Sequence, residues 1–178
     1  EFSGATITVM ETGPVRAMVK VSTQYGNSKL AQYWSLTVGS DILEMHCKLT
    51  WYEKHKMLKF SIPAAVENPK AYAKIPFGFI ERPIDGTEQV CGEWAAICDD
   101  KGGIVLANED KYSFDADKNV LSMTVLRGAV YADHCFGNTD FHDEFSEFID
   151  QGIHKFSYSI SPFKSISKAE KDGEILNS

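Results

Sequence analysis

The fold is decided by the stretch LEMHCKLTWYEKHKMLKFSIP, residues 43–63. Between Leu43 and Trp51 apolar residues alternate with polar ones, which is the period of two expected of a half-buried strand. The alternation resumes at Leu58, after the charged residues 53–56, and it ends at Pro63, which cannot donate to a β-ladder. The pattern therefore predicts two strands joined as an antiparallel hairpin.

Length and charge limit the possible partners of the chain. With 178 residues, of which 43% are hydrophobic and 12% aromatic, we expect a single domain over residues 1–178. The formal net charge of -7 argues against nucleic acid as a partner, because phosphate binding relies on clustered Lys and Arg. A membrane is not an expected partner either, since no apolar run approaches the roughly 20 residues of a membrane span.

The cysteines indicate a reducing compartment. Cys47, Cys91, Cys98 and Cys135 lack the paired spacing of a metal site, and two of them occupy apolar positions of predicted strands. We expect buried free thiols, which are typical of a cytoplasmic protein.

The rest of the chain shows short strands separated by turn residues, and one helix. Residues 72–82 are predicted as one strand that ends at Arg82-Pro83, and residues 94–107 as a hairpin whose second strand is buried. The predicted helix spans Ile166–Leu176. Many strands with almost no helix predict an all-β fold, an antiparallel two-sheet sandwich. The other strand patterns lie at residues 15–21, 34–38, 112–114, 121–127 and 154–160.

Residues 131–151 break this pattern and form an acidic loop with four phenylalanines. Long loops of this kind are commonly functional or interfacial. The loop contains potential metal donors, but their spacing matches no known metal site, and a solvated acidic loop is the preferred interpretation. The phenylalanines are Phe136, Phe141, Phe145 and Phe148, and the potential donors are Asp133, His134, Cys135, Asp140, His142 and Asp143.

Five blocks occur in a recognisable order along nearly the whole chain. They are residues 51–60 with Pro63, residues 75–83, residues 103–112, residues 121–127, and the set Asp150, Gly152, His154, Phe156, Tyr158 and Pro162. Together they resemble the C-terminal β-domain of glycoside hydrolase family 38, the α-mannosidases. The chain departs from the family pattern at residues 129–149, where it carries a longer acidic and aromatic insertion.

The resemblance implies a galactose-mutarotase-like supersandwich that is incomplete at both ends. It also implies a parent enzyme that hydrolyses terminal α-mannosides with retention, using a carboxylate nucleophile, a carboxylic acid and zinc or another divalent cation. In the family those groups lie in an upstream catalytic domain. We therefore expect no catalytic residue, metal ligand or cofactor in residues 1–178. The expected partners are that catalytic domain, within the same polypeptide, and an α-mannoside or oligosaccharide bound by the parent enzyme.

Arg127 is the one residue to which the resemblance assigns a position near the sugar pocket. In the family an arginine at the corresponding strand end lies near the pocket, at the boundary with the catalytic domain. Its fixed fork of donors suits hydroxyls or a carboxylate. The alternative is an exposed arginine paired with a local acid. Arg127 is therefore predicted as a substrate-pocket or domain-interface residue.

Two other functions remain open at the sequence level. An independent carbohydrate-binding sandwich would use Trp34, Trp51 and Trp94 as a stacking platform, although core packing is the default for large aromatics in strand phase. A mutarotase-like enzyme would need a histidine and a carboxylate facing one cleft. The pairs available for that role are His46 with Glu44 and His154 with Asp150. For His154, a hydrogen bond to the backbone or to Asp150 is the preferred interpretation.

Overall fold

Two antiparallel sheets of unequal width face each other in the computed structural model, which describes residues 1–131 and 147–178. The strands are β1 Ser3–Thr12, β2 Arg16–Tyr25, β3 Ser28–Thr37, β4 Leu43–Trp51, β5 Met57–Pro63, β6 Lys70–Ile75, β7 Gly78–Arg82, β8 Gln89–Val90, β9 Trp94–Asp99, β10 Gly102–Asn108, β11 Ser113–Asp117, β12 Val120–Arg127 and β13 Gly152–Pro162, and the helix is α1 Ile166–Leu176. The wide sheet has nine strands in the order β1-β2-β3-β4-β13-β10-β9-β6-β7, and the narrow sheet has four in the order β5-β12-β11-β8. The predicted all-β, two-sheet sandwich is confirmed.

The core lies between the two sheets. From the wide sheet β4 contributes Met45 and Leu49, and from the narrow sheet β12 contributes Leu121 and Met123, all with no exposed surface. These are the inward positions of the alternating pattern. Full burial of each such side chain contributes about 1.5–3 kcal/mol.

The predicted hairpin between β4 and β5 is wrong, although both strands exist. β4 pairs with β3 and β13 in the wide sheet, whereas β5 pairs with β12 in the narrow one. The connection between Trp51 and Met57 crosses from one sheet to the other. Both strands present apolar faces to one core from opposite sides, and alternation alone cannot distinguish this arrangement from a hairpin. The prediction that Pro63 ends its strand is confirmed.

The predicted single strand over residues 72–82 is also wrong. It is a hairpin of β6 and β7, in which Ile75 pairs with Gly78. Phe77 turns the chain with a φ of 68°, and its side chain is 108% exposed. A bulky residue in the left-handed region is uncommon, and the residues around Phe77 are apolar. The sequence therefore contains no indication of a turn at this position.

Other predictions in this region hold. β9 and β10 form the expected hairpin, with Gly103 opposite Cys98. In β10, Val105 and Leu106 have no exposed surface. The predicted helix is present with the predicted bounds.

Helix α1 covers the outer face of the wide sheet. Its Ala169 is fully buried in a cluster with Trp94 and Val105. Ser165 caps the first turn, its hydroxyl accepting from the backbone N–H of Lys168 at 3.2 Å. Asp172 is buried, and its carboxylate accepts from Ser161 Oγ at 2.5 Å. Within residues 1–131 and 147–178 no helix has the length and apolar character to cross a membrane.

Candidate functional site

The predicted site residue, Arg127, lies at one end of the sandwich, where several chain segments meet. It is the last residue of β12 and pairs with Met57 at the start of β5. Trp51, the last residue of β4, pairs with Gly152, the first residue of β13. The crossing between the sheets therefore runs past the strand end that carries Arg127.

Gly128 fixes the backbone beside Arg127. Its carbonyl accepts from the N–H of His55 at 2.7 Å, and its own N–H donates to the carbonyl of Lys56 at 2.8 Å. A Cβ at Gly128 would lie 2.2 Å from the carbonyl oxygen of Glu53. Only glycine allows this close approach, which binds the end of β12 to the crossing.

Asp150 holds the same strand end from the other side. Its carboxylate Oδ2 accepts from the backbone N–H of Arg127 at 3.2 Å. Its carbonyl lies 2.8 Å from Nε2 of His154, so the preferred interpretation of that histidine is confirmed. Asp150 has a φ of 57°, a left-handed conformation that Asp tolerates better than most residues. The backbone of Arg127 is thus held by both Gly128 and Asp150.

Glu53, one of the charged residues 53–56, is held by hydrogen bonds and is not merely solvated. Its Oε1 accepts from the backbone N–H of Asn27 at 2.9 Å and from Ser28 Oγ at 3.0 Å. The backbone N–H of Tyr52 donates to the same serine hydroxyl at 2.9 Å. Glu53 therefore ties the crossing to the turn between β2 and β3. A contact across 26 residues leaves no local sequence signal, so the pattern could not reveal it.

A recess of about 490 Å³ opens beside Arg127. Arg127 is exposed, and within the described part of the chain its guanidinium forms no ion pair. The recess thus combines cationic and apolar side chains, a combination suited to a ligand with hydroxyl or anionic groups. Its lining residues are His55, Lys56, Met57, Arg127, Ala129 and Val130.

Phe148 contacts two of the residues that line this recess, and of the four phenylalanines of the acidic loop it is the one that lies within the described residues. It forms an isolated antiparallel bridge with Val130. Its ring meets His55 edge-on, with centroids 4.9 Å apart, and the Lys54 ammonium lies 4.7 Å from its centroid. The other three phenylalanines and the six potential metal donors of the loop lie outside the described residues.

The described residues do not fit a metal site. No group of three or more His, Cys, Asp or Glu side chains is placed to hold an ion between residues 1 and 131 or between 147 and 178.

The candidate histidine pairs have structural partners. His46 Nδ1 lies 2.9 Å from Ser157 Oγ, while Glu44 accepts from Ser35 Oγ at 3.3 Å. His154 bonds the Asp150 backbone, as described above. Neither pair places a free imidazole and a free carboxylate together, so no described geometry favours the mutarotase-like alternative.

The tryptophans do not form a stacking platform. Trp94 has no exposed surface and Trp51 is 2% exposed, as the core-packing prediction required. Trp34 is half-buried and packs against Phe60, with ring centroids 6.3 Å apart.

The thiol prediction is confirmed for the described cysteines. Cys47, Cys91 and Cys98 are free and buried. Burial raises the pKa of the Cys47 and Cys91 thiols to about 12 and also raises the pKa of Cys98. Cys135 lies outside the described residues.

Comparison with known proteins identifies relatives of this chain. A family model described as the glycosyl hydrolases family 38 C-terminal domain matches residues 2–135. Alpha-mannosidase 2C1 from Mus musculus is 30% identical over 146 residues, 78% of this chain and 13% of that protein. Alpha-mannosidase G from Dictyostelium discoideum is 27% identical over 188 aligned positions, 97% of this chain and 16% of that protein.

A solved structure agrees with the fold. A glycosyl hydrolase family 38 protein from Enterococcus faecalis matches with a TM-score of 0.74 at 16% identity, covering 89% of this chain and 22% of that chain. Fold and family model together define the class, a β-sandwich domain of glycoside hydrolases. The chain belongs to the glycosyl hydrolases family 38 C-terminal domain family, and the resemblance drawn from the five sequence blocks is confirmed. It spans less than a fifth of the length of the α-mannosidases named above.

Proposed function

We propose that residues 1–178 form one domain, the non-catalytic C-terminal β-domain of a retaining, metal-dependent α-mannosidase. The domain supports the catalytic domain of the same polypeptide and contributes Arg127 to one wall of the sugar pocket. The parent enzyme hydrolyses terminal α-mannosides in the cytoplasm. Its two catalytic carboxyl groups and its zinc or other divalent cation belong to the catalytic domain.

The observation that carries this proposal is the arrangement around Arg127. Its side chain is exposed beside the recess, while its backbone is held by Asp150 and by the contacts of the adjacent Gly128. A guanidinium on a fixed strand end can donate to sugar hydroxyls, or to a carboxylate of the neighbouring domain, without a further cost for ordering its backbone. Its role is binding and orientation, because a guanidinium stays protonated and cannot act as a general acid or base here.

The parent enzyme with Arg127→Ala and Arg127→Lys tests this role. A charged hydrogen bond is worth about 1.5–3 kcal/mol, so we expect kcat/KM for an aryl α-mannoside to fall by about 10–100-fold in Arg127→Ala, with partial recovery in Arg127→Lys. Arg16→Ala is the matched control, because Arg16 is also an exposed strand-end arginine but pairs with Glu11. Unchanged kinetics in a folded Arg127→Ala enzyme would remove Arg127 from the pocket wall.

The isolated chain provides a second test. We expect residues 1–178 alone to show no turnover of an aryl α-mannoside, with or without added zinc, because retaining hydrolysis needs two carboxyl groups about 5 Å apart across the bond. Turnover by a preparation free of other glycosidases would refute the non-catalytic assignment.

A further inference from the structure

The outer face of the wide sheet carries two lysines that lie directly opposite each other. Lys48 of β4 pairs with Lys155 of β13, and the Cβ atoms of such a pair lie about 4.5–5.5 Å apart on one face. This face points away from the core, because the neighbours Cys47 and Leu49 belong to the core cluster. Like charges in direct opposition destabilise a sheet. The pair therefore favours a negatively charged group between the two ammonium groups.

No carboxylate of residues 1–131 or 147–178 supplies that negative charge. Both lysines are exposed, and neither forms an ion pair within these ranges. Lys29 adds a third positive charge, because it pairs with Thr50 and so lies diagonal to Lys48, about 7–8 Å away. The whole chain has a net charge of -7, so this cluster has the opposite sign to its surroundings.

Two recesses in this face share Lys48. The smaller, of about 370 Å³, is also lined by Lys155 and His46. The larger, of about 420 Å³, is also lined by Lys29. Sites for small ligands commonly have volumes of about 300–1,000 Å³, so each recess has room for a sugar-sized group. The hydroxyl and amide residues that line the larger recess include Thr6, Ser22, Gln24 and Thr50.

The side chains of the smaller recess are ordered by contacts of their own. Nδ1 of His46 lies 2.9 Å from Oγ of the buried Ser157. Tyr33 pairs with His46, and the Lys20 ammonium lies 5.7 Å from the centroid of the tyrosine ring. Glu109 is the acidic residue among those that line the recess, and its charge opposes the binding of an anion.

We infer that this lysine face, defined by Lys29, Lys48, Lys155 and His46, binds a phosphorylated carbohydrate. The phosphate lies between Lys48 and Lys155, and the sugar hydroxyls contact the hydroxyl and amide groups of the larger recess. A phosphate monoester carries a charge of about −1.5 to −2 at pH 7, which matches two ammonium groups. A carboxylate or a sulfate ester carries a single charge and matches them less well. The inference rests on the proposed function in one respect, because it takes the ligand to be a carbohydrate.

A nucleic acid fits this face less well than a phosphorylated sugar does. Its phosphates are diesters with one charge each, and its affinity comes from contacts of many Lys and Arg side chains along the backbone. The lysine face offers three lysines, and the net charge of -7 repels a long polyanion.

Titration calorimetry of residues 1–178 with three probes tests the inference. The probes are mannose 6-phosphate, inorganic phosphate and mannose. We expect mannose 6-phosphate to bind at least about tenfold more tightly than inorganic phosphate, because only the sugar phosphate contacts both recesses, and we expect mannose alone to give no measurable binding. Added salt should weaken the binding, because the lysines are exposed.

Four variants locate the site. Lys48→Gln and Lys155→Gln should each weaken the binding of mannose 6-phosphate by about tenfold or more, because each removes a charged hydrogen bond. Lys171→Gln is the matched control, since Lys171 is also exposed and forms no ion pair within the described ranges, but lies on helix α1. Glu109→Gln should strengthen the binding by about twofold or more, because it removes a negative charge from the recess.

Urea denaturation without ligand checks the repulsion and the folding of the variants. Both Lys48→Gln and Lys155→Gln should raise the denaturation midpoint, because the like-charge pair is gone. Mannose 6-phosphate should raise the midpoint of the unsubstituted chain and leave that of the two variants nearly unchanged.

Four outcomes would overturn the inference. They are equal affinity for mannose 6-phosphate and inorganic phosphate, unchanged binding in both lysine variants, lowered midpoints in both variants without ligand, and an oligonucleotide that binds as tightly as mannose 6-phosphate. Arg127→Ala should leave this binding unchanged, since Arg127 does not line either recess. The kinetic test of Arg127 and the binding test of the lysine face therefore fail separately.

Discussion

Gly128 and Glu53 are in backbone contact so close that a single methyl group would not fit between them. A Cβ on Gly128 would lie 2.2 Å from the Glu53 carbonyl oxygen, which belongs to a fixed backbone and not to a flexible side chain. The contact joins the end of β12 to the crossing between the sheets. The geometry of the proposed pocket wall therefore depends on the absence of a side chain next to Arg127.

Gly128→Ala is expected to destabilise the chain by about 2 kcal/mol or more, because the crossing must move to admit the methyl group. Urea denaturation of residues 1–178 measures the change. Gly78→Ala is the control, since nothing lies within 4 Å of a Cβ there, and its effect should stay within about 0.5 kcal/mol. Equal effects of the two substitutions would show that the contact is not rigid.

Asp172→Ala is expected to cost about 1–3 kcal/mol, because it removes a buried acceptor. Asp172 is 1% exposed and accepts from Ser161 Oγ at 2.5 Å and from Lys168 Nζ at 2.7 Å. Glu174→Ala, on an exposed position of the same helix, should change the free energy of unfolding by less than about 0.5 kcal/mol. A loss in Asp172→Ala no greater than in the control would contradict a structural role for this carboxylate.

The surroundings of Glu88 predict a specific pH dependence of the free energy of unfolding. Burial alone would raise its pKa, but hydrogen bonds from Lys59, Ser113 and Thr124 hold it below its ordinary value. Glu88 therefore binds a proton more readily in the unfolded chain than in the folded one. Its contribution to the free energy of unfolding is present above about pH 4.5 and is lost as the pH falls through the lower pKa of the folded state. The Glu88 side chain is 38% exposed, so solvent screening limits this contribution to under about 1 kcal/mol.

Glu88→Gln should therefore be less stable than the parent chain at pH 7, with the difference shrinking below pH 4.5. Denaturation midpoints between pH 3 and 7 measure this trend. Lys101→Ala breaks an ion pair whose two side chains are about three-quarters exposed, and it should leave the shape of the profile unchanged. A Glu88→Gln deficit of constant size across that range would refute the linkage.

The buried thiols should be unreactive in the native chain. Burial raises the pKa of Cys47 and Cys91 to about 12, and the nucleophile is the thiolate, so little of it exists at pH 8. In a Cys135→Ser variant we expect almost no rapid reaction with a disulfide reagent, and three reactive thiols after denaturation. Rapid native reaction of even one thiol would contradict the burial.

The sequence correctly predicted the structural features that depend on local periodicity. The alternation over Leu43–Trp51 identified a strand and its buried face, and the helix over Ile166–Leu176 was found with its bounds. Strand pairing was harder to predict from the sequence. The same apolar period in β4 and β5 is compatible with a hairpin or with two facing sheets, and only long-range contacts distinguish them.

The candidate site was likewise only partly predictable from the sequence. Arg127 was found through a family resemblance, since a strand-end arginine is otherwise unremarkable in a sequence. Gly128, Asp150 and Glu53 were not recognised as supporting residues, because each acts on a partner at least 23 residues away. The β6–β7 turn was not predicted, because its residue with a positive φ is Phe77, whereas such turn positions are usually occupied by residues that favour a positive φ.

The pairing of β4 with β13 has a consequence for biosynthesis. Trp51 meets Gly152 across about 100 residues of intervening chain, so the middle of the wide sheet closes only after most of the domain has left the ribosome. Until then β4 and β10 present unpaired edges that invite association with other nascent chains. Translation that stops before residue 152 would leave an aggregation-prone product, a natural target for chaperones and proteases.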